Sequence, residues 1–255
     1  MCRLFGFRSR ISLKVHHSLV EAENALIVQS RMHPDGWGLG YYQEARPRLV
    51  KGVNPAFSDD GFANISRLVT SNVLIAHVRK ATVGKLSIHN THPFQYGQWL
   101  FAHNGNIEGF PQLRPFFLEE MSPGFRVLMT GSTDAEHCFY LFLTILDRLD
   151  GLKTPSADRV LEALSETLRC IDHWSRILRT EPPILHFLVS DGSMLAATRF
   201  GRRLYYSTQK RSCSDYDACP AAQKPCLGLR IDTGPVTHLS ISSEPISGED
   251  IWEEM

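Results

Sequence analysis

Residues 132–149 read STDAEHCFYLFLTILDRL, and they decide what kind of fold the chain can make. Thr133 followed three positions later by Glu136 has the form of a capping box, so the spacing predicts a helix starting there. Behind the cap, apolar residues fall on nearly every face. A helix at a protein surface keeps one face polar, whereas one that is apolar all round is enclosed by other elements. The segment is therefore expected to lie against a sheet. A second helix is predicted over residues 157–178, after the GLKTP turn. Stretches with strand character precede this pair at 37–42, 48–53, 71–80 and 99–103, the last ending in a turn-like HNGN. More follow at 184–190, 195–200, 204–208 and 236–242. Residues 71–80, SNVLIAHVRK, are dense in apolar and β-branched side chains, as in a buried strand that emerges at Arg79. Strands, then two helices, then strands again predict an α+β fold with helices outside the sheets, rather than strict βαβ alternation. Residues 209–223 read as a surface loop.

Composition sets the bounds. The chain has 255 residues, 43% of them hydrophobic, enough for a sizeable core. Lys and Arg number 27, as do Asp and Glu, so no broad nucleic-acid or membrane surface is expected. Arg3, Arg8, Arg10 and Lys14 break any apolar stretch of a secretion signal, and the longest apolar run is too short to cross a bilayer. The expectation is a soluble cytoplasmic protein whose six cysteines are reduced.

The chemistry starts at MCRLF. Removal of Met1 would put a thiol and a free α-amine on one residue, Cys2. An α-amine with a pKa near 7.7–8.0 is partly neutral at cellular pH and can take the thiol proton. A buried cysteine leading into an apolar N-terminal strand is the plain alternative. Asn104-Gly105 in FAHNGNIEGF offers two side-chain N–H donors and a backbone amide that no Cβ shields, as an oxyanion hole needs; it is also the commonest hairpin turn. In HVRKATVG, Arg79 could clamp a carboxylate bidentately with help from Thr82, or form an ordinary salt bridge. Asp134, in the first turn of the helix, could hold a ligand ammonium or simply complement the helix dipole. Asp35 in HPDGWG reads as a plain turn before a strand.

Taken in order, MCRLFGF, HPDGWGLGYY, HVRKATVG, NTHPF, FAHNGNIEGF and GSTDAE resemble the class II glutamine amidotransferases, which are N-terminal nucleophile hydrolases. The likeness covers the first half closely and the second half only through SSEP at 242–245. It is similar in particular to stand-alone members that cleave γ-glutamyl amides. The resemblance implies a four-layer αββα sandwich, with residues 1–255 forming one amidotransferase domain. Cys2 would be the nucleophile, with Asn104 and Gly105 holding the oxyanion. Arg79 and Thr82 would take the substrate α-carboxylate with His92 in support, and Asp134 the α-ammonium. No cofactor is implied. The substrate would be glutamine or a γ-glutamyl amide, its ammonia or amine released or passed to an ammonia-accepting partner protein. Lys80 and Val83 depart from residues frequent in relatives, which leaves the choice of amide open.

Two rivals stand beside this. One is a non-enzymatic module of the same fold that binds a γ-glutamyl ligand or a partner, for which a terminal thiol would be superfluous. The other is a metal site on His89 and His92, but neither HNTH nor the cysteines at 213, 219 and 226 have the spacing of a closed zinc site, and none is expected. Cys138 and Cys170 read as buried, inert thiols.

Overall fold

The helix that anchors the sequence reading forms where its cap predicts. In a computed structural model describing residues 2–209 and 238–255, Thr133 Oγ1 accepts the Glu136 N–H at 3.2 Å and the helix runs Asp134–Asp150. Only half of the expected capping box forms. The Glu136 carboxylate accepts from the N–H groups of Thr130 and Gly131, both at 2.9 Å, and so braces the preceding turn rather than the cap.

In chain order the elements are β1 (Arg3–Lys14), α1 (Leu26–Gln29), β2 (Trp37–Gln43), β3 (Arg46–Gly52), α2 (Asp60–Leu68), β4 (Thr70–Val78) and β5 (Phe94–Tyr96). Then come β6 (Trp99–Asn106), α3 (Phe110–Glu120), α4 (Pro123–Arg126), α5 (Asp134–Asp150) and α6 (Ala157–Leu178). The chain finishes with β7 (Ile184–Ser190), β8 (Leu195–Ala197), β9 (Tyr205–Ser207), β10 (His238–Ser242) and β11 (Glu253–Glu254). The strands form two antiparallel sheets, ordered β11-β9-β10-β1-β4-β2-β3 and β5-β6-β7-β8. The loop expected at 209–223 and the cysteines at 213, 219 and 226 lie outside the described residues.

Three apolar seams stack these sheets and helices into four layers. Phe139, Phe142 and Leu146 of α5 pack with α3 and α6 on Phe101, Phe187 and Val189 of the smaller sheet. On the other face of that sheet, Leu100, Ala102 and Leu188 meet Leu4, Val73, Ile75 and Ile241 of the larger one. The larger sheet's outer face buries Phe5, Leu74 and Ala76 against Leu26 and Phe62. Strand residues alternate between faces, which is why consecutive residues Val73–Ala76 are all fully buried yet belong to different seams. The α+β architecture and its αββα layering are those expected.

One element differs in kind. HNGN does not turn. The strand β6 runs straight through it, with Asn104 opposite His186 and Gly105 opposite Leu185 on β7. A Cβ at Gly105 would lie 1.7 Å from the Ile184 carbonyl oxygen, so this glycine answers to close strand approach, not to turn geometry. Near the site, a Cβ at Gly38 would come within 2.1 Å of the His92 carbonyl oxygen, which lets the segment carrying His92 settle on β2.

Candidate active site

Cys2 sits immediately before β1, two residues from Leu4 and on the same alternation, which faces the second sheet. The residue is 8% exposed. Its sulfur is gripped by the backbone of one residue: Sγ–H donates to the Lys80 carbonyl at 3.4 Å, and the Lys80 N–H donates to Sγ at 3.3 Å. Burial pushes the thiol pKa up, with the Lys80 hydrogen bond working against it. The resting group is therefore a thiol, and attack requires a base. The Lys80 side chain is exposed and contributes only backbone here.

Arg79 is buried beside this peptide. Desolvation lowers its pKa, while Cys2, Asp35 and Asp134 oppose that loss, so these groups share one electrostatic neighbourhood. The guanidinium holds the following loop: Nη1 donates to Lys85 O at 3.2 Å, and Nη2 to Val83 O at 3.0 Å and Gly84 O at 3.4 Å. By donor count the Nε–H and one Nη1–H remain for a ligand. Thr82 lies exposed in that loop. Asp134 is buried at the α5 N-terminus, where Oδ1 accepts from Ala135 N–H at 2.9 Å and Oδ2 from Ile107 N–H at 3.3 Å. It thereby ties α5 to the end of β6.

Asn104 is reached from the other side. Its Nδ2 donates to Ser243 Oγ at 2.8 Å, and the same Oγ accepts from the Leu4 N–H at 3.0 Å. Asn104 Oδ1 is buried with no partner among the described residues. Rotating the amide by 180° would let the Ser243 hydroxyl donate to Oδ1 and would turn both Nδ2–H groups towards the orphaned position. The strand edge here is also open. Because β5 pairs only with Trp99–Phe101, residues 102–106 of β6 have a strand neighbour on the β7 side alone. Alternate backbone N–H groups along that segment face away from β7.

His92 is buried in the core, within electrostatic reach of Arg79. Its Nδ1 lies 3.0 Å from His77 Nε2, and its ring meets Phe94 edge-on. Burial holds His77 and His92 well below the usual histidine range, so both rings are neutral. His89 lines a different cavity with Lys51 and Glu136. Among the described residues no three His, Cys, Asp or Glu side chains gather as metal ligands. Cys138 is fully buried and Cys170 half-buried, both as free thiols.

Two positioning residues escaped the sequence reading. Asp35, read as a turn residue, accepts the Ala81 N–H at 2.8 Å and fixes the peptides that carry Arg79 and Lys80. Ser243 joins the β1 and β6 sides of the site, and its only trace in the sequence was the short SSEP match. No helix among the described residues is long and apolar enough to cross a membrane.

The comparisons with known proteins bear on the family and the fold. The chain is 30% identical over 228 residues to the probable glutamine amidotransferase DUG3 of Saccharomyces cerevisiae, covering 78% of this chain and 64% of that one. It is 33% identical over 118 residues to the gamma-glutamyl-hercynylcysteine sulfoxide hydrolase of Mycobacterium tuberculosis, covering 42% of this chain and 50% of the relative. The chain thus spans less than two thirds of the length of both relatives. Among solved structures, a glutamine aminotransferase class-II domain protein from Silicibacter pomeroyi superposes with a TM-score of 0.64 at 20% identity, covering 100% of this chain and 91% of that one. The profile of the class-II glutamine amidotransferases matches residues 1–254, and on that match the chain belongs to this family.

Proposed function

We propose that the protein hydrolyses the γ-amide bond of glutamine or a γ-glutamyl amine, with Cys2 as nucleophile once Met1 is removed. Residues 1–255 then act as one amidohydrolase domain. The observation that carries this reading is the meeting of groups around one thiol. The Lys80 backbone holds the Cys2 sulfur, Arg79 and Asp134 act on it electrostatically, and Asn104 is tied through Ser243 to the strand that Cys2 leads.

The buried thiol is protonated at rest, so its proton moves to the Cys2 α-amine as sulfur attacks the γ-carbonyl carbon. The carbonyl oxygen becomes an oxyanion held by Asn104 Nδ2 and a Gly105 backbone N–H. A donor of this kind contributes about 2.7–4 kcal/mol. Collapse breaks the C–N bond, and the leaving nitrogen takes the proton from the ammonium of Cys2. Water, deprotonated by the same amine, then cleaves the thioester to give glutamate and the free thiol. On the substrate's other end, the spare N–H groups of Arg79 take the α-carboxylate and Asp134 the α-ammonium, with Thr82 and the 82–85 loop closing above them. His92 supports this pocket from below through His77 and Phe94 rather than by touching substrate.

The test joins mass and turnover. Purified protein should lack Met1, gain one adduct at Cys2 from a glutamine-like electrophile, and release glutamate from glutamine. The Cys2→Ala variant should fold, take no adduct and release no glutamate. Turnover in that variant, or a retained Met1 in active protein, would overturn the reading.

A further inference from the structure

We propose that the cavity beside Asn104 is a subsite for a carboxylate on the amine half of the substrate, so that the preferred amide is a γ-glutamyl amino acid rather than glutamine. This rests on the reading of Cys2 and Asn104 given above, and deepens it.

Strand order places the cavity. Cys2 leads into β1, which has β4 on one side and β10, then β9, on the other. Arg79 follows β4. The cavity is built on the opposite flank, where Ser243 follows β10 and Tyr205 begins β9. In the second sheet it likewise lies beyond Asn104 on the β7–β8 side, reaching His186 and Arg199. An amide whose glutamyl end is held at Arg79 and Asp134, and whose carbonyl lies between Cys2 and Asn104, has this flank as the open space on the side of its amine half.

Size and charge describe what the flank accepts. The cavity encloses about 610 Å³. A water-sized leaving group such as ammonia occupies roughly 30 Å³ and needs no such space. Among the described residues four arginines line it, Arg3, Arg199, Arg202 and Arg203, with two acidic residues, Glu244 and Glu254. Arg3 pairs with Glu244 at 3.0 Å. Glu254 is shared between Arg203 at 3.3 Å and Arg199 at 3.6 Å, which leaves both incompletely matched. Among the described residues no carboxylate lies within ion-pair distance of Arg202. Its peptide is nonetheless fixed, since its carbonyl takes hydrogen bonds from the His186 ring at 2.9 Å and from Arg199 Nε at 3.2 Å. Among the described residues four arginines face two carboxylates, an excess of two positive charges on planar groups suited to bidentate carboxylate binding. Exposed ion pairs such as those of Glu254 are weak, so a ligand carboxylate can compete for Arg199 and Arg203 at little cost.

The experiment compares three substrates on the full chain: glutamine, γ-glutamyl-alanine, and γ-glutamyl-alaninamide, which lacks only the terminal charge. Expected is a kcat/KM at least tenfold higher for γ-glutamyl-alanine than for its neutral amide. Arg202→Gln should bring the pair within about twofold while leaving glutamine turnover unchanged. The preference should also shrink as salt is raised, a readout that needs no variant. Equal kcat/KM for the pair in the unmodified protein, or a preference untouched by both salt and Arg202→Gln, overturns the subsite and leaves the amidase reading standing. Hydrolysis of none of the three, with Cys2 unlabelled, overturns the amidase reading instead.

Discussion

The two flanks of Cys2 are built in opposite ways. Around the Arg79 end the groups are buried and largely engaged: Arg79 holds three loop carbonyls and keeps two N–H donors, and Asp134 takes two backbone N–H groups. On the β10 side, four arginines and two acidic residues among the described residues line a cavity. A closed flank with only a few donors left over suits a ligand half that never varies, because those donors are fixed before binding. An open, under-neutralised flank suits a half recognised mainly by charge. The thiol and Asn104 lie at the border of the two.

The largest test strikes that border. Gly105→Ala would set a methyl 1.7 Å from the Ile184 carbonyl, so its cost should exceed the roughly 1–3 kcal/mol of ordinary overpacking. Loss of soluble protein or a sharply lowered Tm is expected, and an unchanged Tm would contradict the strand pairing that unites the flanks. Asn104→Ala, read by steady-state kinetics, should cut kcat by about 10²–10³ with every substrate alike. A loss confined to one substrate would move Asn104 from the border onto a single flank.

Acid should undo both flanks through their histidines. His186, beside the open cavity, is held down to about 4, chiefly by burial. The unfolded chain binds that proton near pH 6.5 and the native chain does not, so the stabilisation is full above pH 6.5 and lost as pH falls towards 4. For His186 alone that is about 3 kcal/mol, and His77 and His92 act in the same direction. Thermal unfolding followed from pH 7 to 4 should show a falling Tm; a flat profile would mean the rings are not buried neutral.

Arg79→Lys tests the closed flank alone. An ammonium cannot match a carboxylate fork, so KM should rise about tenfold for all three substrates, with kcat changed far less. The smallest effect belongs to Ser243, as a positioning residue. Ser243→Ala should lower kcat severalfold with KM nearly unchanged, and Ser243→Thr should restore it. An altered KM with kcat intact would place Ser243 in binding instead.

Much of the closed flank was legible in the chain. HVRKATVG and GSTDAE state their chemistry in consecutive residues, and the Thr133 cap fixes where Asp134 stands. HNGN misled because Asn-Gly at a strand end has the composition of a turn, and only the approach of β7 shows that the glycine is needed for closeness. The open flank was illegible, since Arg3, Arg199, Arg202 and Arg203 come from opposite ends of the chain, and an arginine in a sequence has no direction.

What the sequence by itself determined is the set of local structures: which stretches bury both faces and where α5 is capped. These follow from the periodicity of neighbouring side chains and from hydrogen bonds spanning a few residues. What only the tertiary structure decided is which groups face the thiol: Asp35 behind Ala81, Ser243 between Leu4 and Asn104, and the arginines beyond. Those contacts join residues 46 to 239 positions apart, and such proximity is set by sheet order and stacking rather than by anything adjacent in the chain.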